Sequence, residues 1–77
     1  MDMEDRLKRL QSLFTYALSG AVSAKARYLA IAGDPASTTA AVARARLVWQ
    51  QLEARKTAII ARMVALEELE ELEEAVA

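Results

Sequence analysis

Apolar and small side chains recur at alternating intervals of four and three residues along the first part of the chain, from Met3 to Ile31. This spacing is typical of an amphipathic helix that presents one continuous seam to a neighbouring helix. The seam positions are Met3, Leu7, Leu10, Phe14, Ala17, Ala21, Ala24, Tyr28 and Ile31. Because alanines occupy the middle of the seam, we expect the partner helix to approach most closely there.

A second apolar row, formed by Leu18, Val22 and Leu29, lies beside this seam. A helix with two apolar rows usually has more than one neighbour. Gly20 is either a hinge or a tolerated helical glycine that costs about 1 kcal/mol. The seam continues in phase on both sides of Gly20, which favours the tolerated glycine.

The same spacing returns in the second half of the chain and predicts a second helix over residues 35–75. Lys56 is the one charged residue in this seam, and we expect its stem to pack while its ammonium group stays in solvent. Leu69 and Leu72 extend the apolar stripe toward Val76 near the end of the chain. The seam positions are Val42, Ala45, Trp49, Leu52, Ile59, Met63 and Leu66.

The strongest break in the pattern is the segment AGDPAS, residues 32–37. Gly33 suits the left-handed position after a helix, Asp34 suits an N-cap, and Pro35 suits the first helical position. Ser37 is a rival N-cap if the turn is longer. Short connections favour antiparallel neighbours. The sequence therefore predicts an all-α protein, one domain over residues 1–77, folded as an antiparallel hairpin of helices at about 2–32 and 35–75.

The two predicted helices have unequal lengths. A fold-back at residues 33–34 places residue i near residue 67 − i, so Met1 lies near Leu66. The segment 67–77, about 16 Å of helix, is then an acidic overhang that the first helix cannot cover. This segment, EELEELEEAVA, holds six glutamates at a helix C-terminus, where the macrodipole disfavours negative charge.

A single hairpin of 77 residues has a marginal core, and small scaffolds often need a partner subunit. The simplest remedy is a twofold homodimer that forms a four-helix bundle. The residues predicted to form the dimer core are Leu7, Leu10, Phe14, Leu18, Val22, Trp49, Leu52, Ile59, Met63 and Leu66.

The composition excludes most catalytic chemistry. The chain has no Cys and no His, so Ser–His and Cys–His pairs are absent, and its two glycines make no phosphate-binding loop. Without His, the glutamate pairs of 67–74 are interpreted as a solvated face rather than a metal site. We expect no enzymatic activity, no cofactor and no metal.

The sequence also bears on localisation. The start, MDMEDR, lacks the features of a signal peptide. The longest uncharged run, residues 10–24, is too short to span a bilayer, so we expect a soluble cytoplasmic protein without membrane insertion.

Charge is unevenly distributed along the chain. Residues 1–33 carry five basic and three acidic side chains, residues 34–62 carry five and two, and residues 63–77 carry six acidic side chains and no basic one. The basic residues of the second helix allow a Rop-type dimeric hairpin that binds RNA or DNA as an alternative function, through Arg44, Arg46, Arg55, Lys56 and Arg62, with Lys25 and Arg27 near the turn. An isoelectric point of about 5.4 argues against a phosphate-driven binder.

Binding of a protein partner fits the sequence better. Tyr16 and Arg27 lie off the main seam, and both residue types are enriched in binding hot spots. The C-terminal strip of leucines beside carboxylates suits a groove with basic rims. The predicted partner contacts are Tyr16, Arg27, Arg44, Arg46, Leu69, Leu72, Glu70 and Glu73. A structural assembly subunit is a further alternative.

A short hairpin with the AGDPAS turn, two amphipathic helices and no catalytic chemistry resembles the small helical inhibitory proteins that bacteriophages encode, of the quorum-sensing anti-activator type. Such proteins can also target a pilus assembly ATPase. The resemblance implies a regulator in the host cytoplasm that inhibits a host protein by occluding a surface of it. No functional residue carries over from this likeness, because it rests on architecture rather than on a motif.

Overall fold

The computed structural model describes residues 2–76, so Met1 and Ala77, the ends of the predicted domain and overhang, lie outside the described residues. The chain forms two helices, α1 over Met3–Ala32 and α2 over Thr39–Val76, which pack against each other. The hairpin measures 62 by 16 by 15 Å. The predicted all-α, two-helix architecture is confirmed.

The start of α1 is capped by Asp2. The Asp2 carboxylate accepts a hydrogen bond from the backbone N–H of Glu4 at 2.7 Å. Glu4 and Asp5 lie in the first turn, where negative charge is favourable to the helix dipole. α1 therefore begins at Met3, the first residue of the seam.

The start of α2 differs from the prediction by four residues. Asp34 does not cap α2: its carboxylate accepts a hydrogen bond from Ala36 N–H at 2.9 Å, and its carbonyl accepts one from Ser37 N–H at 3.0 Å. The N-cap is Thr38, whose hydroxyl accepts a hydrogen bond from Ala41 N–H at 3.1 Å. The sequence analysis named Asp34 and, for a longer turn, Ser37; the observed cap lies one residue beyond Ser37, so the connection is longer than either candidate predicts.

The predicted left-handed conformation of Gly33 is also wrong. Gly33 has φ −83° and ψ −8°, and its N–H donates to the carbonyl of Leu29 at 3.0 Å. A Cβ at this position would lie 3.3 Å from the same carbonyl oxygen. This tight contact, rather than a positive φ, is what favours glycine at this position.

The longer connection changes the pairing of the two helices. The predicted fold-back places residue 20 beside residue 47 and residue 28 beside residue 39. In the structure Gly20 faces the side chain of Leu52, and Tyr28 stacks on Trp49 with 5.5 Å between ring centroids. Each residue of α1 thus lies beside a residue further along α2 than predicted.

Burial follows the predicted seams. Every seam position of both helices, Lys56 included, is at least half-buried, and within residues 2–76 only Ala17, Ala21 and Ile59 are buried. Ala21 is 0% exposed, so the alanines mark the point of closest approach. With a single neighbouring helix, most other seam side chains keep one side in solvent.

α1 runs without a break through Gly20. A Cβ at Gly20 would lie 3.8 and 3.9 Å from the two methyl carbons of Leu52, which is ordinary van der Waals contact. We therefore expect Gly20→Ala to raise the free energy of unfolding by about 1 kcal/mol, through higher helix propensity and lower entropy of the unfolded chain. Urea unfolding followed by helical circular dichroism at fixed protein concentration measures this.

Gly33→Ala is the matched control, because its new Cβ meets a backbone carbonyl at 3.3 Å and the same substitution should gain less or lose stability. A loss of stability in Gly20→Ala would show that the helices need to approach more closely at Gly20 than these distances indicate.

Candidate interaction surfaces

A hairpin of two helices has one internal seam and two broad flanks. Residues seven apart lie on the same side of a helix that keeps this seam spacing. The two flanks differ in their chemistry, because six of the seven arginines fall on one of them. We name this flank the arginine face; its arginines are Arg6, Arg9, Arg27, Arg44, Arg55 and Arg62.

The arginine face carries a groove near the turn, with a volume of about 270 Å³. Its floor is apolar, and Arg27 of α1 and Arg44 of α2 line its edges. The other lining residues are Ala24, Ile31, Ala41, Ala45 and Val48. We name this groove the turn-end groove.

A second groove, of about 480 Å³, lies on the same face near the open end of the hairpin. Leu10, Leu13, Ala65 and Leu66 form its apolar part. The guanidinium-bearing side chains that line it are Arg6, Arg9 and Arg62.

Two further residues connect the grooves. Arg55 is seven residues from both Val48 and Arg62, so it lies on the arginine face between them. Tyr16 is seven residues from Arg9 and is 80% exposed. Among residues 2–76, the salt bridges join Lys8 to Glu4 and Lys56 to Glu53, and none involves an arginine of this face.

The acidic end of α2 extends the arginine face. Leu69 and Leu72 are seven residues beyond Arg62 and Ala65, and Val76 is seven beyond Leu69. Their exposed fractions rise along the helix from 44% to 63% and 82%. The predicted contacts Glu70 and Glu73 follow Met63 and Leu66 by the same interval, so glutamate replaces apolar side chains where the seam would continue.

The opposite flank holds a stack of aromatic and cationic side chains, which we name the aromatic ladder. Trp49 and Tyr28 stack at an interplanar angle of 18°. Lys25 Nζ lies 5.7 Å from the centre of the Trp49 ring, and Arg46 Cζ lies 5.5 Å from that of Tyr28. Arg46 Nε also donates to the Tyr28 hydroxyl at 3.3 Å, so the ladder joins both helices near the turn.

Glu53 extends the ladder along α2. Its carboxylate accepts a hydrogen bond from Trp49 Nε1–H at 3.3 Å and pairs with Lys56 Nζ at 2.8 Å. The hydrogen bond from Lys56, with a smaller one from Trp49, holds the pKa of Glu53 below the ordinary glutamate value. This contact also explains Lys56 in the seam, since its ammonium turns outward to a carboxylate. Exposed apolar side chains flank the ladder: Leu18, Val22, Leu29, Ile60 and Val64.

The predicted site residues divide between these surfaces. Eight of the ten predicted dimer-core residues are half-buried or buried along the seam within one hairpin, whereas Leu18 and Val22 are exposed beside the aromatic ladder. Of the predicted partner contacts, Arg46 lies in the ladder. Five other predicted partner contacts lie on the arginine face or its extension: Tyr16, Arg27, Arg44, Leu69 and Leu72.

Sequence reasoning missed two groupings. It grouped Arg55 and Arg62 with Arg46 and Lys56, which the structure places elsewhere, although the seven-residue interval between Arg55 and Arg62 signals a common side for these two alone. It also missed the ladder, for which the four-residue interval from Trp49 to Glu53 was a local signal. The contact of Tyr28 with Trp49 has no local signal, because it depends on how the helices pair.

No group of three or more acidic side chains between residues 2 and 76 is placed to hold a metal ion. Neither of the two described helices combines the length and apolar character needed to cross a membrane. Comparison of the chain with protein-family models, with curated proteins and with solved structures finds no match.

The lowered pKa of Glu53 predicts a pH dependence. Folding depresses the pKa of Glu53, so its contacts with Lys56 and Trp49 stabilise the folded chain above the pKa of the unfolded state. This stabilisation is lost as pH falls through the folded-state pKa. A carboxyl NMR titration should therefore place Glu53 below the ordinary value of about 4.3. Trp49→Phe should move this pKa partly upward, since the Lys56 contact remains. Titration of Glu53 at the ordinary value would contradict these contacts.

Proposed function

We propose that this protein is a non-enzymatic interaction module that forms a homodimer, completes a four-helix bundle, and binds and inhibits a partner protein by occluding part of its surface. The observation that carries this proposal is exposed apolar surface. Three residues of the described chain are buried and hydrophobic, whereas twelve large hydrophobic side chains are exposed. Apolar surface at this density is typical of faces that other chains cover.

The two flanks offer two places for such chains. A twofold partner covers one flank, and the other flank then stays available for a target. The aromatic ladder brings together Trp, Tyr and Arg, the residue types most enriched in binding hot spots. Stacking and hydrogen bonds already order these side chains, so binding would cost less conformational entropy. Inhibition by surface occlusion is what the resemblance to small phage-encoded hairpin inhibitors implies.

Self-association is tested by size-exclusion chromatography with light scattering from tens to hundreds of micromolar protein. We expect a mass of twice the 8.5 kDa of one chain, and a thermal unfolding midpoint that rises with protein concentration. A monomer throughout this range, with an unfolding midpoint independent of concentration, would overturn the proposed dimer.

Nucleic-acid binding is the second candidate function, and the collection of six arginines on one face is the observation that favours it. If it is correct, affinity for RNA or DNA falls steeply as the salt concentration rises. In the double variant Arg55→Gln with Arg62→Gln, the slope of log affinity against log salt concentration should decrease in magnitude by about one for each phosphate that the variant no longer neutralises. Lys8→Gln with Arg46→Gln is the control, since both side chains lie away from the arginine face. Equal effects of the two pairs would argue against an arginine-face site.

A further inference from the structure

We propose that a second copy of this chain covers the arginine face in an antiparallel, twofold arrangement, with the acidic end of each copy on the turn-end groove of the other. This inference rests on the proposed self-association, to which it adds the face, the direction and the charged contacts. Four observations carry it: apolar surface, charge, length and the state of the opposite flank.

The arginine face and its extension hold half of the exposed large hydrophobic side chains. Six of the twelve belong to them, five lie on the opposite flank, and Leu47 points away from the seam between the two flanks. The apolar stripe also continues along this face beyond Leu66, where the seam toward α1 ends. A partner laid on this face therefore covers the grooves and the stripe together. The six side chains are Leu13, Tyr16, Val48, Leu69, Leu72 and Val76.

Charge selects the direction of the second copy. Residues 23–48, around the turn, hold four basic side chains and one acidic one. The open end, residues 2–9 and 62–76, holds four basic and nine acidic side chains. An antiparallel copy brings the acidic end of each chain to the basic end of the other, whereas a parallel copy brings like charges together.

The lengths of the elements match this arrangement. Arg44 is five residues from the first residue of α2, and Glu71 is five residues from the last. Full antiparallel overlap of two α2 helices therefore places Arg44 level with residue 71 of the other copy. At about 100° per residue, Glu68 and Glu73 border the stripe of Leu69, Leu72 and Val76, whereas Glu67 and Glu74 lie on the opposite side of the helix.

The cations of the opposite flank are already engaged. Lys25 lies over Trp49, Arg46 contacts Tyr28, and Lys56 pairs with Glu53. On the arginine face, by contrast, no guanidinium has a carboxylate of residues 2–76 within 4.0 Å. The unpaired arginines and the acidic stripe thus complement each other between copies rather than within one.

Charge reversal tests the proposal. Variant A carries Arg27→Glu and Arg44→Glu, and variant B carries Glu68→Arg and Glu73→Arg. In each variant alone, both contacts of the homodimer become repulsive. We expect the dimer dissociation constant, measured by sedimentation equilibrium, to rise about tenfold or more for A and for B. Circular dichroism verifies that the helices remain.

Mixing A with B restores opposite charges at both contacts, because A presents glutamates at all four contact positions and B presents arginines at all four. We expect an A:B heterodimer at close to the wild-type affinity. A single chain with all four substitutions should also recover the homodimer, and this readout stands if A or B alone folds poorly.

Matched controls introduce charges of the same sign on the opposite sides of the helices. Lys8→Glu with Gln50→Glu, at two exposed positions outside the arginine face and the aromatic ladder, is the control for A, and Glu67→Arg with Glu74→Arg is the control for B. Both controls should leave the dissociation constant within about threefold of wild type.

The outcomes separate the two proposals. A wild-type monomer at all concentrations overturns the proposed function together with this inference. If the wild type forms a dimer but variants A and B dimerise no more weakly than their controls, this inference alone is overturned. The same holds if mixing A with B does not restore dimerisation. The double substitution Val22→Glu with Leu29→Glu tests the opposite flank. If it abolishes the dimer while variant A leaves the dimer intact, the second copy covers the opposite flank and this inference is overturned.

Discussion

The packing of α1 on α2 depends on a short stretch of small side chains where the helices come closest. Ala17 and Ala21 are buried against α2, and Gly20 leaves room for the methyl groups of Leu52. Larger side chains at Ala17 or Ala21 would hold the helices apart and weaken the contacts at both ends of the seam. Because two helices make a single seam, this contact line is all the core that one chain can form. The exposed apolar flanks follow directly from that limit.

The connection between the helices has consequences far from the turn. Since α2 begins at Thr39, the register brings Trp49 beside Tyr28 and Leu52 beside Gly20. Trp49 in turn donates to Glu53, whose second oxygen pairs with Lys56. The only charged side chain of the seam is accommodated in this way, with its stem half-buried and its ammonium paired at the surface. The N-cap at Thr38 and the side-chain contacts of this flank are thus linked through the register of the two helices.

The acidic end of α2 is unfavourable for an isolated helix. Six glutamates lie near the C-terminal pole of the dipole, no basic side chain occupies the last turn, and several glutamate pairs are three or four residues apart. Each unfavourable interaction costs a few tenths of a kcal/mol to about 1 kcal/mol. Glutamate also takes over the seam positions after Leu66, so this segment is not adapted to pack on α1. Its stripe of Leu69, Leu72 and Val76 faces the side that carries the arginines, which makes a basic, apolar surface on another chain its natural complement.

The sequence by itself determined the two helices, the end of α1 at the glycine, and every seam position from Met3 to Leu66. These features follow from periodicity, which is a local property of a helix with one buried side. The choice of Thr38 over Asp34 and Ser37, the right-handed Gly33, the pairing of Tyr28 with Trp49 and the two arginine-lined grooves were decided only by the tertiary structure. Each of them depends on the distance and axial offset between two helices whose contacting residues are about twenty to sixty positions apart in sequence. Such offsets are set by packing of the whole seam, and no local pattern encodes them.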